Sequence, residues 1–412
     1  MWIRIFLTVL ILLAASTFSV IAQHAQPPTN NDVVVGAAQL KKYLPLLKNK
    51  SVGLVVNQTS MVGDQHLVDI LLSHDVNITY IFAPEHGFRG DHGAGEKVSS
   101  GKDPVTGLDI VSIYGKNKKP SAQIMDSIDV MLFDIQDVGT RFYTYISSMH
   151  YVMQAAAESS VTFIVLDRPN PNIMHVDGPV LEPAFRSFVG IHPIPLLHGL
   201  TVGELAQMII GENWLSIEHS NTSSTTTQSE LPTLDLRVIP VANYNRTTPY
   251  ILPIPPSPNL PNEIAVRLYP SLCFFEATPA SIGRGTPFPF QVVGHDLVSN
   301  NFLAKVKFQF TPQPIAHAAP FPKLKGKLLT GESLSSSKIQ GLDLAIFIKW
   351  YQMFKENDLE FFERPEFMDK LAGTDKVRKS ILAGHSIEQI KQQWQPGLQK
   401  FLADRKPYLI YL

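Results

Sequence analysis

The chain has very little cysteine and almost no net charge. Its 412 residues include a single cysteine, Cys273, and 35 basic against 36 acidic side chains. One cysteine excludes an internal disulfide, so stability must come from a packed core. A near-zero net charge without a basic run argues against a nucleic-acid partner, because phosphate binding depends on Lys and Arg. Cys273 lies in an apolar run, which favours a buried structural residue over a catalytic thiol.

Beyond its N-terminus, the chain lacks any apolar run long enough to cross a bilayer. The first residues combine a short basic start, an apolar stretch and small side chains ending at Ala22, a pattern typical of a secretory signal peptide. We therefore expect residues 1–22 to be removed and the mature protein to be periplasmic or extracellular, without membrane contact. An uncleaved N-terminal anchor is the alternative, since the apolar stretch has nearly membrane-spanning length.

Sequence signatures of several common enzyme classes are also absent. The chain has no Walker loop, no Gly-x-Ser-x-Gly elbow and no His-Glu-x-x-His zinc motif. The glycines Gly90, Gly93 and Gly95 follow the second predicted strand instead of the first, so they do not indicate a dinucleotide site. The spacing of His86 and His92 matches no zinc motif. We therefore predict neither a cofactor nor a metal.

What the sequence does contain is an alternation of apolar runs and helical stretches. The runs are nearly continuous in Val, Ile, Leu and Phe, which is typical of strands buried on both faces of a parallel sheet. The pattern predicts an α/β fold with a Rossmann-like, doubly wound, mostly parallel sheet. The predicted strands are 52–56, 78–82, 108–113, 130–133, 161–166, 194–197 and 236–241, and the predicted helices are 66–73, 145–158 and 202–215.

The pattern changes after a proline-dense stretch over residues 249–261, which cannot form helix interior or central strand. Short strands at 303–310 and 324–329 and amphipathic helices at 342–354 and 387–402 then predict a smaller α+β domain. We therefore expect a Rossmann-like catalytic domain over 23–262 and a C-terminal α+β domain over 263–412 that closes the cleft. The sequence leaves the oligomeric state open.

Polar groups follow the ends of four predicted strands. Because the carboxyl ends of parallel strands meet at one edge of a sheet, these groups are expected to line one cleft. The residues that we expect to bind substrate there are Asn57, Arg89, Gln136, Arg141, Tyr143, Asp167 and Asn170, together with Arg284 from a polar loop of the second domain.

The remaining chemistry is acid–base catalysis by carboxylates. Cleaving a glycosidic bond requires an acid to protonate the leaving oxygen and usually a second carboxylate. Glu85 is the acid candidate, with His86 beside it, and Glu276 is the candidate for the second carboxylate. Glu96 and Glu182 are rivals for that second position.

Six long blocks of this sequence resemble the exo-β-N-acetylmuramidase family, which is NamZ-like or YbbC-like and was formerly a domain of unknown function. The blocks are residues 83–90, 133–145, 166–171, 176–181, 198–205 and 281–286, and the resemblance covers nearly the whole mature chain. It implies a Rossmann-like domain that carries the active site, and release of N-acetylmuramic acid from the non-reducing ends of peptidoglycan fragments. The acidic residue of the family's Glu-His-Gly block falls on Glu85.

The implied substrate carries a lactyl carboxylate, for which a bidentate arginine is the natural partner. The candidates are Arg89, Arg141, Arg168 and Arg284, with Arg141 or Arg89 preferred. We predict a glycoside hydrolase acting on muramyl saccharides. A non-catalytic glycan-binding protein and a metal-dependent cell-wall hydrolase or esterase are the alternatives. Whether the mechanism is retaining, inverting or substrate-assisted, and which fragment lengths and peptide stems are accepted, stays open.

Overall fold

The computed structural model describes residues 33–90, 92, 95, 96, 98–216, 233–297 and 308–412. The predicted signal peptide and most of the predicted strand 303–310 lie outside these residues. In the described part of the chain, no helix is both long enough and apolar enough to cross a membrane.

Short strands and helices alternate through the first half of the chain. The strands are β1 Val52–Val56, β2 Met61–Val62, β3 Gln65–His66, β4 Ile78–Ala83, β5 Gly101–Lys102, β6 Asp109–Ser112, β7 Val130–Asp134, β8 Thr162–Leu166, β9 Leu236–Ile239, β10 Val292–His295, β11 Phe308–Phe310 and β12 Leu329–Ser333. The helices are α1 Leu40–Leu47, α2 Leu67–Ser73, α3 Ala122–Met125, α4 Tyr145–Glu158, α5 Val202–Gly211, α6 Glu263–Leu272, α7 Ala345–Glu356, α8 Pro365–Ala372, α9 Lys376–Leu382, α10 Ile387–Gln392 and α11 Gln395–Asp404.

Seven strands form the central sheet, in the order β5-β6-β4-β1-β7-β8-β9. All neighbouring pairs are parallel except β5 with β6. The chain runs outward from β1 through β4 and β6, then returns to the other side of β1 and continues through β7, β8 and β9. This reversal places a topological switch point between β1 and β7, where Rossmann-like sheets bind ligands beyond their carboxyl ends.

Helices cover both faces of this sheet. Strands β1 and β7 are buried along their whole length. One apolar cluster joins α1 and α2 to one face, and a second joins α3, α4 and α5 to the other. Local signals support the helix starts, since Thr201 and Glu204 form a reciprocal capping box at the beginning of α5. The predicted doubly wound sheet is therefore confirmed.

The smaller C-terminal domain combines an antiparallel sheet, in the order β10-β12-β11, with helices α6 to α11. It packs against the first domain through the larger apolar cluster, which includes Phe347 and Trp350. Polar contacts add to this interface, because Asp177 accepts hydrogen bonds from Trp394 Nε1 at 3.0 Å and Lys391 Nζ at 2.8 Å. The predicted α+β domain is also confirmed.

Three predicted elements were wrong, each because of local backbone chemistry. The apolar run 194–197 forms isolated bridges at Leu197 instead of a strand, since Pro193 and Pro195 supply no N–H groups. The segment 324–329 is a turn that leads into β12, with Leu324 at φ 54°. The stretch 387–402 forms two helices, because Pro396 starts a new helix in α11.

Candidate active site

The register of two parallel strands places Glu85 beside Tyr114. Ala83 of β4 pairs with Ser112 of β6, and each functional side chain follows its strand by two residues. The backbone turns sharply after β4, with His86 at φ 70°. A positive φ in a residue other than glycine is uncommon and is concentrated at functional sites.

Three donors from different segments hold the Glu85 carboxylate. Oε1 accepts hydrogen bonds from the Tyr114 hydroxyl at 2.9 Å and the Gly95 backbone N–H at 3.0 Å. Oε2 accepts one from the Thr144 hydroxyl at 2.8 Å. Burial, and then the Glu85 charge, raise the pKa of Tyr114, so its hydroxyl keeps its proton. The carboxyl group is therefore fixed in direction while its side chain stays half-buried.

His86 is held in one tautomer. Its Nδ1 lies 2.8 Å from the backbone oxygen of His92, and a carbonyl can only accept, so Nδ1 carries the proton. Burial lowers the pKa of His86 below its ordinary value, against the opposing effect of the Glu85 charge. The ring is therefore neutral near pH 7, and Nε2 is left as a hydrogen-bond acceptor.

A cavity of about 340 Å³, which we name the Glu85 cavity, lies over this turn. Its lining includes Glu85 and His86 from the first domain and Glu276 and Arg284 from the second. Ligand cavities commonly have volumes of about 300–1,000 Å³ and lie between domains. The two carboxylates predicted for catalysis thus face one space.

Glu276 forms a close ion pair in this cavity. Its Oε1 lies 2.5 Å from Nη2 of Arg284, and both side chains are about one quarter exposed. Burial alone would lower the pKa of Arg284, but the Glu276 charge outweighs it and raises that pKa. The guanidinium also lies over the Phe290 ring, 5.2 Å from its centre, which fixes its position further.

Aromatic rings form much of the remaining wall. Tyr269 contacts Phe142, Tyr143 and Phe290 edge to face, at ring separations of 5.2, 5.9 and 4.9 Å. The Tyr143 hydroxyl donates to the backbone oxygen of Pro256 at 2.7 Å, so its ring edge is anchored. The cavity therefore has a rigid aromatic lining beside its charged groups.

Three of the amides predicted to bind substrate lie elsewhere. Asn57, Gln136 and Asn170 are almost fully buried. Gln136 and Asn170 donate to backbone oxygens of neighbouring loops, whereas Asn57 accepts from Thr59 in its own loop. None of them is among the described residues that line the Glu85 cavity. In the structure they hold the loops that carry the site.

Arg89, Arg141 and Asp167 are likewise engaged outside the cavity lining. Arg89 pairs with Asp103 at 2.9 Å. Arg141 is completely buried, and its guanidinium donates to four backbone oxygens, two of them at the end of α8. Asp167 accepts hydrogen bonds from the hydroxyls of Thr201 and Tyr411 at 2.7 Å each, and burial raises its pKa to about 7.

Arg168 and Glu182 also lie away from the Glu85 cavity. Arg168 forms a buried bidentate pair with Asp134, at 2.5 and 2.9 Å. Glu182 pairs with Lys376 at 2.9 Å, away from the Glu85 cavity. Of the predicted residues, the structure thus brings together Glu85, His86, Tyr143, Glu276 and Arg284.

Sequence reasoning missed Tyr114 and Thr144, the two described side chains that donate to the Glu85 carboxylate. Tyr114 follows strand β6, so the strand-end rule applied to the other strands would also have found it. Thr144 lies in one of the recognised blocks and immediately precedes α4. No sequence signal singles out its hydroxyl, because its contact with Glu85 spans 59 residues.

Within the described residues, no group of three or more His, Cys, Asp or Glu side chains is arranged to hold a metal ion. The charged and titratable groups that line the Glu85 cavity include two carboxyl groups, an imidazole and a guanidinium.

Solved structures share this fold over nearly the whole chain. A DUF1343 family protein from Bacteroides fragilis NCTC 9343 is 42% identical, with a TM-score of 0.79 over 92% of this chain and 99% of that one. A second DUF1343 family protein from the same organism is 29% identical, with a TM-score of 0.79 over 93% and 100% of the two chains. These two similarities support the fold and do not bear on the activity.

Among curated proteins, the peptidoglycan beta-N-acetylmuramidase NamZ of Bacillus subtilis (strain 168) is 38% identical over 391 residues. That match covers 90% of this chain and 89% of the relative. Family models for the N-terminal and C-terminal parts of exo-beta-N-acetylmuramidase NamZ match residues 52–264 and 267–411. The resemblance found in the sequence is thereby confirmed, and the chain is a glycoside hydrolase that belongs to the exo-beta-N-acetylmuramidase NamZ family.

Proposed function

We propose that the protein is an exported hydrolase that releases N-acetylmuramic acid from the non-reducing end of peptidoglycan fragments, with Glu85 as the general acid. The family and the name of the Bacillus subtilis relative support the substrate class. The observation that carries the role of Glu85 is its carboxyl group, fixed by three donors at the wall of the shared cavity.

The hydrogen bonds of Glu85 support Oε2 as the oxygen that carries the proposed catalytic proton. Oε1 accepts from the Gly95 N–H, a donor that cannot reverse. Oε2 is bonded to the Thr144 hydroxyl, which can rotate and act as acceptor. In the protonated form that acts as the acid, the proton is therefore placed on Oε2. It passes to the glycosidic oxygen as the bond from that oxygen to the anomeric carbon breaks, and water then supplies the new hydroxyl of the released sugar.

Glu276 is the proposed second carboxylate, acting as nucleophile or as base toward water. Its pairing with Arg284 supports an ionised carboxylate, because the guanidinium compensates the charge at 2.5 Å. Substrate assistance by the acetamido group is the third route, and His86 Nε2 is then a hydrogen-bond acceptor in the same cavity.

Arg284 is the proposed partner of the lactyl carboxylate. It lines the Glu85 cavity, whereas Arg89, Arg141 and Arg168 are engaged with protein groups away from the cavity. Among the described residues, its buried Nε–H has no hydrogen-bond partner. A guanidinium already fixed by Glu276 and Phe290 loses little conformational entropy on binding a carboxylate.

The deciding experiment is turnover of the disaccharide N-acetylmuramyl-N-acetylglucosamine, with the products identified by mass spectrometry. Wild-type protein is expected to release both monosaccharides with and without a chelator. Glu85→Gln is expected to lower kcat by about 10²–10⁴-fold, the usual contribution of general acid–base catalysis. Glu182→Gln, which lies outside the cavity, is the matched control.

Near wild-type turnover by folded Glu85→Gln would show that the acid is another residue. Loss of activity on chelation would favour a metal-dependent hydrolase, and tight binding without turnover would favour a glycan-binding protein. Export is tested separately by sequencing the N-terminus of the protein expressed with residues 1–22, where a start at Gln23 is expected.

A further inference from the structure

A second and larger cavity adjoins the Glu85 cavity. It has a volume of about 590 Å³ and shares Gly95, Glu276 and Arg284 with its neighbour. Its remaining charged lining consists of Glu96, Lys323 and Arg364. We name it the cationic cavity, because its three basic side chains exceed its two acidic ones and Glu276 is already paired with Arg284.

Lys323 supplies a positive charge that the protein holds in place. Its ammonium group donates to the backbone oxygens of Phe275 and Glu276, each at 3.1 Å, and to that of Thr278. These carbonyls lie in, or directly after, the short 3₁₀ helix Cys273–Ala277, which carries Glu276. The charge is therefore fixed beside the junction of the two cavities.

Arg364 supplies hydrogen-bond donors to the cationic cavity. Its guanidinium lies over the Phe367 ring, 4.3 Å from the ring centre. Among the described residues it forms no ion pair, and its side chain is exposed toward the cationic cavity. Stacking on an aromatic face leaves the edge of a guanidinium, with its N–H groups, available to a ligand.

The cationic cavity also has an apolar lining. Ile282, Pro320, Phe321 and Pro322 all line the cavity, and Phe321 is 93% exposed. A lining that combines apolar side chains with a few charged groups is typical of ligand cavities. The cavity therefore suits a ligand that combines an anionic group with apolar faces, as sugars and peptide stems do.

Resting on the proposed function, we propose that the cationic cavity binds a carboxylate that the substrate carries outside the sugar ring beside Glu85. Arg364 donates to this carboxylate and the Lys323 charge attracts it. In peptidoglycan, such a carboxylate can come from the peptide stem attached to the lactyl group or from the lactyl group of a further muramyl residue. Both sources present the same chemistry to Arg364.

The test compares kcat/KM for matched substrates. One pair is the disaccharide carrying an alanyl-glutamate stem and the same compound with its stem carboxyls amidated. The other pair is a tetrasaccharide with a free internal lactyl carboxylate and its amide. Arg364→Gln is expected to lower kcat/KM by about tenfold or more for the acid of one pair and to leave its amide unchanged, because a charge-assisted hydrogen bond is lost. The affected pair identifies the source.

Lys370→Gln on α8 and Lys325→Met beside Lys323 are the matched controls, because both lysines are exposed and neither lines the cavity. Lys323→Met is expected to act in the same direction as Arg364→Gln. Equal losses on acid and amide, or no loss on any substrate, would overturn the inference.

Turnover of the plain disaccharide by the wild type reports on the proposed function alone. If no substrate is turned over, calorimetric binding of each acid and its amide to wild type and Arg364→Gln still decides whether the carboxylate is bound. Selective loss of acid binding in the variant supports the inference, and equal binding of acid and amide overturns it.

Discussion

The hydroxyl of Tyr114 donates to Oε1 of Glu85 across two neighbouring parallel strands, at a distance of 2.9 Å. The contact follows from register, since both residues lie two positions beyond the paired residues Ala83 and Ser112. A fixed phenol at this position orients the carboxyl group of the proposed acid. We therefore propose Tyr114 as a positioning residue for Glu85.

Replacing Tyr114 by Phe removes one hydrogen bond to Glu85 and retains the ring. We expect kcat to fall by up to about tenfold with little change in KM, since a hydrogen bond to a neutral carboxyl group contributes about 0.5–1.5 kcal/mol. Steady-state kinetics on the disaccharide measure both parameters. Tyr80→Phe, on strand β4 but outside the cavity, is the control. An unchanged kcat would exclude the positioning role.

Substitutions of Glu276 and of Arg284 are expected to affect different steps, the chemical step and substrate binding. Glu276→Gln is expected to lower kcat by about 10²-fold or more if that carboxylate is nucleophile or base. Arg284→Gln is expected mainly to raise KM, because it removes a contact made equally in ground and transition states. A mere rise in KM for Glu276→Gln would assign it the role of holding Arg284 and would favour substrate assistance.

Titration of His86 tests the electrostatics of the turn. Burial lowers its pKa and the Glu85 charge partly opposes this, so the ring is expected to titrate below its ordinary 6.5. In Glu85→Gln the midpoint should fall further, because the opposing charge is removed. NMR of the imidazole protons, assigned with His86→Gln, measures both midpoints. A higher midpoint in Glu85→Gln would contradict this account.

The lowered pKa of His86 also predicts how the stability of the folded protein changes with pH. The unfolded chain takes up a proton at His86 near pH 6.5, whereas the folded protein does so only at lower pH. The contribution of His86 to stability is thus fully present above about pH 6.5 and decreases as the pH falls below it. Urea unfolding at pH 5 and pH 7 should show a smaller difference for His86→Gln than for wild type.

Arg141 is predicted to join the two domains. Its guanidinium donates to the backbone oxygens of Pro179 and Ile194 in one and of Leu371 and Ala372 in the other. Arg141→Met leaves these acceptors unsatisfied and should lower the free energy of unfolding by about 3 kcal/mol or more, since each buried unpaired group costs about 1–3 kcal/mol. Arg141→Lys should lower the free energy of unfolding by nearly as much, because an ammonium group cannot reproduce the planar, forked arrangement of guanidinium N–H donors.

The urea midpoint measures this loss, and Arg237→Met on the exposed face of β9 is the control. Selective loss of substrate affinity by a fully stable Arg141→Met would instead support the substrate contact predicted from sequence.

Much of the fold could be predicted because local patterns agree with it. Strand β1 and helix α4 have the predicted bounds, since continuous apolar runs and an uninterrupted helical stretch have one stable outcome here. The errors at 194–197 and 387–402 come from prolines whose effect depends on position: a proline ends a strand, but it begins a helix when it falls in the first turn.

The sequence by itself determined the sheet edge beyond which Glu85 lies, because alternating apolar runs impose a parallel sheet and a parallel sheet gathers its strand ends. It also gave Glu85 as the candidate acid at that edge. Only the tertiary structure decided which neighbours reach it. Arg141 was predicted to bind substrate, yet its guanidinium donates to backbone oxygens at the end of α8. The hydroxyls of Tyr114 and Thr144 donate to the Glu85 carboxylate instead. Side-chain direction depends on backbone dihedrals and on contacts between residues far apart in sequence, and no local pattern encodes those.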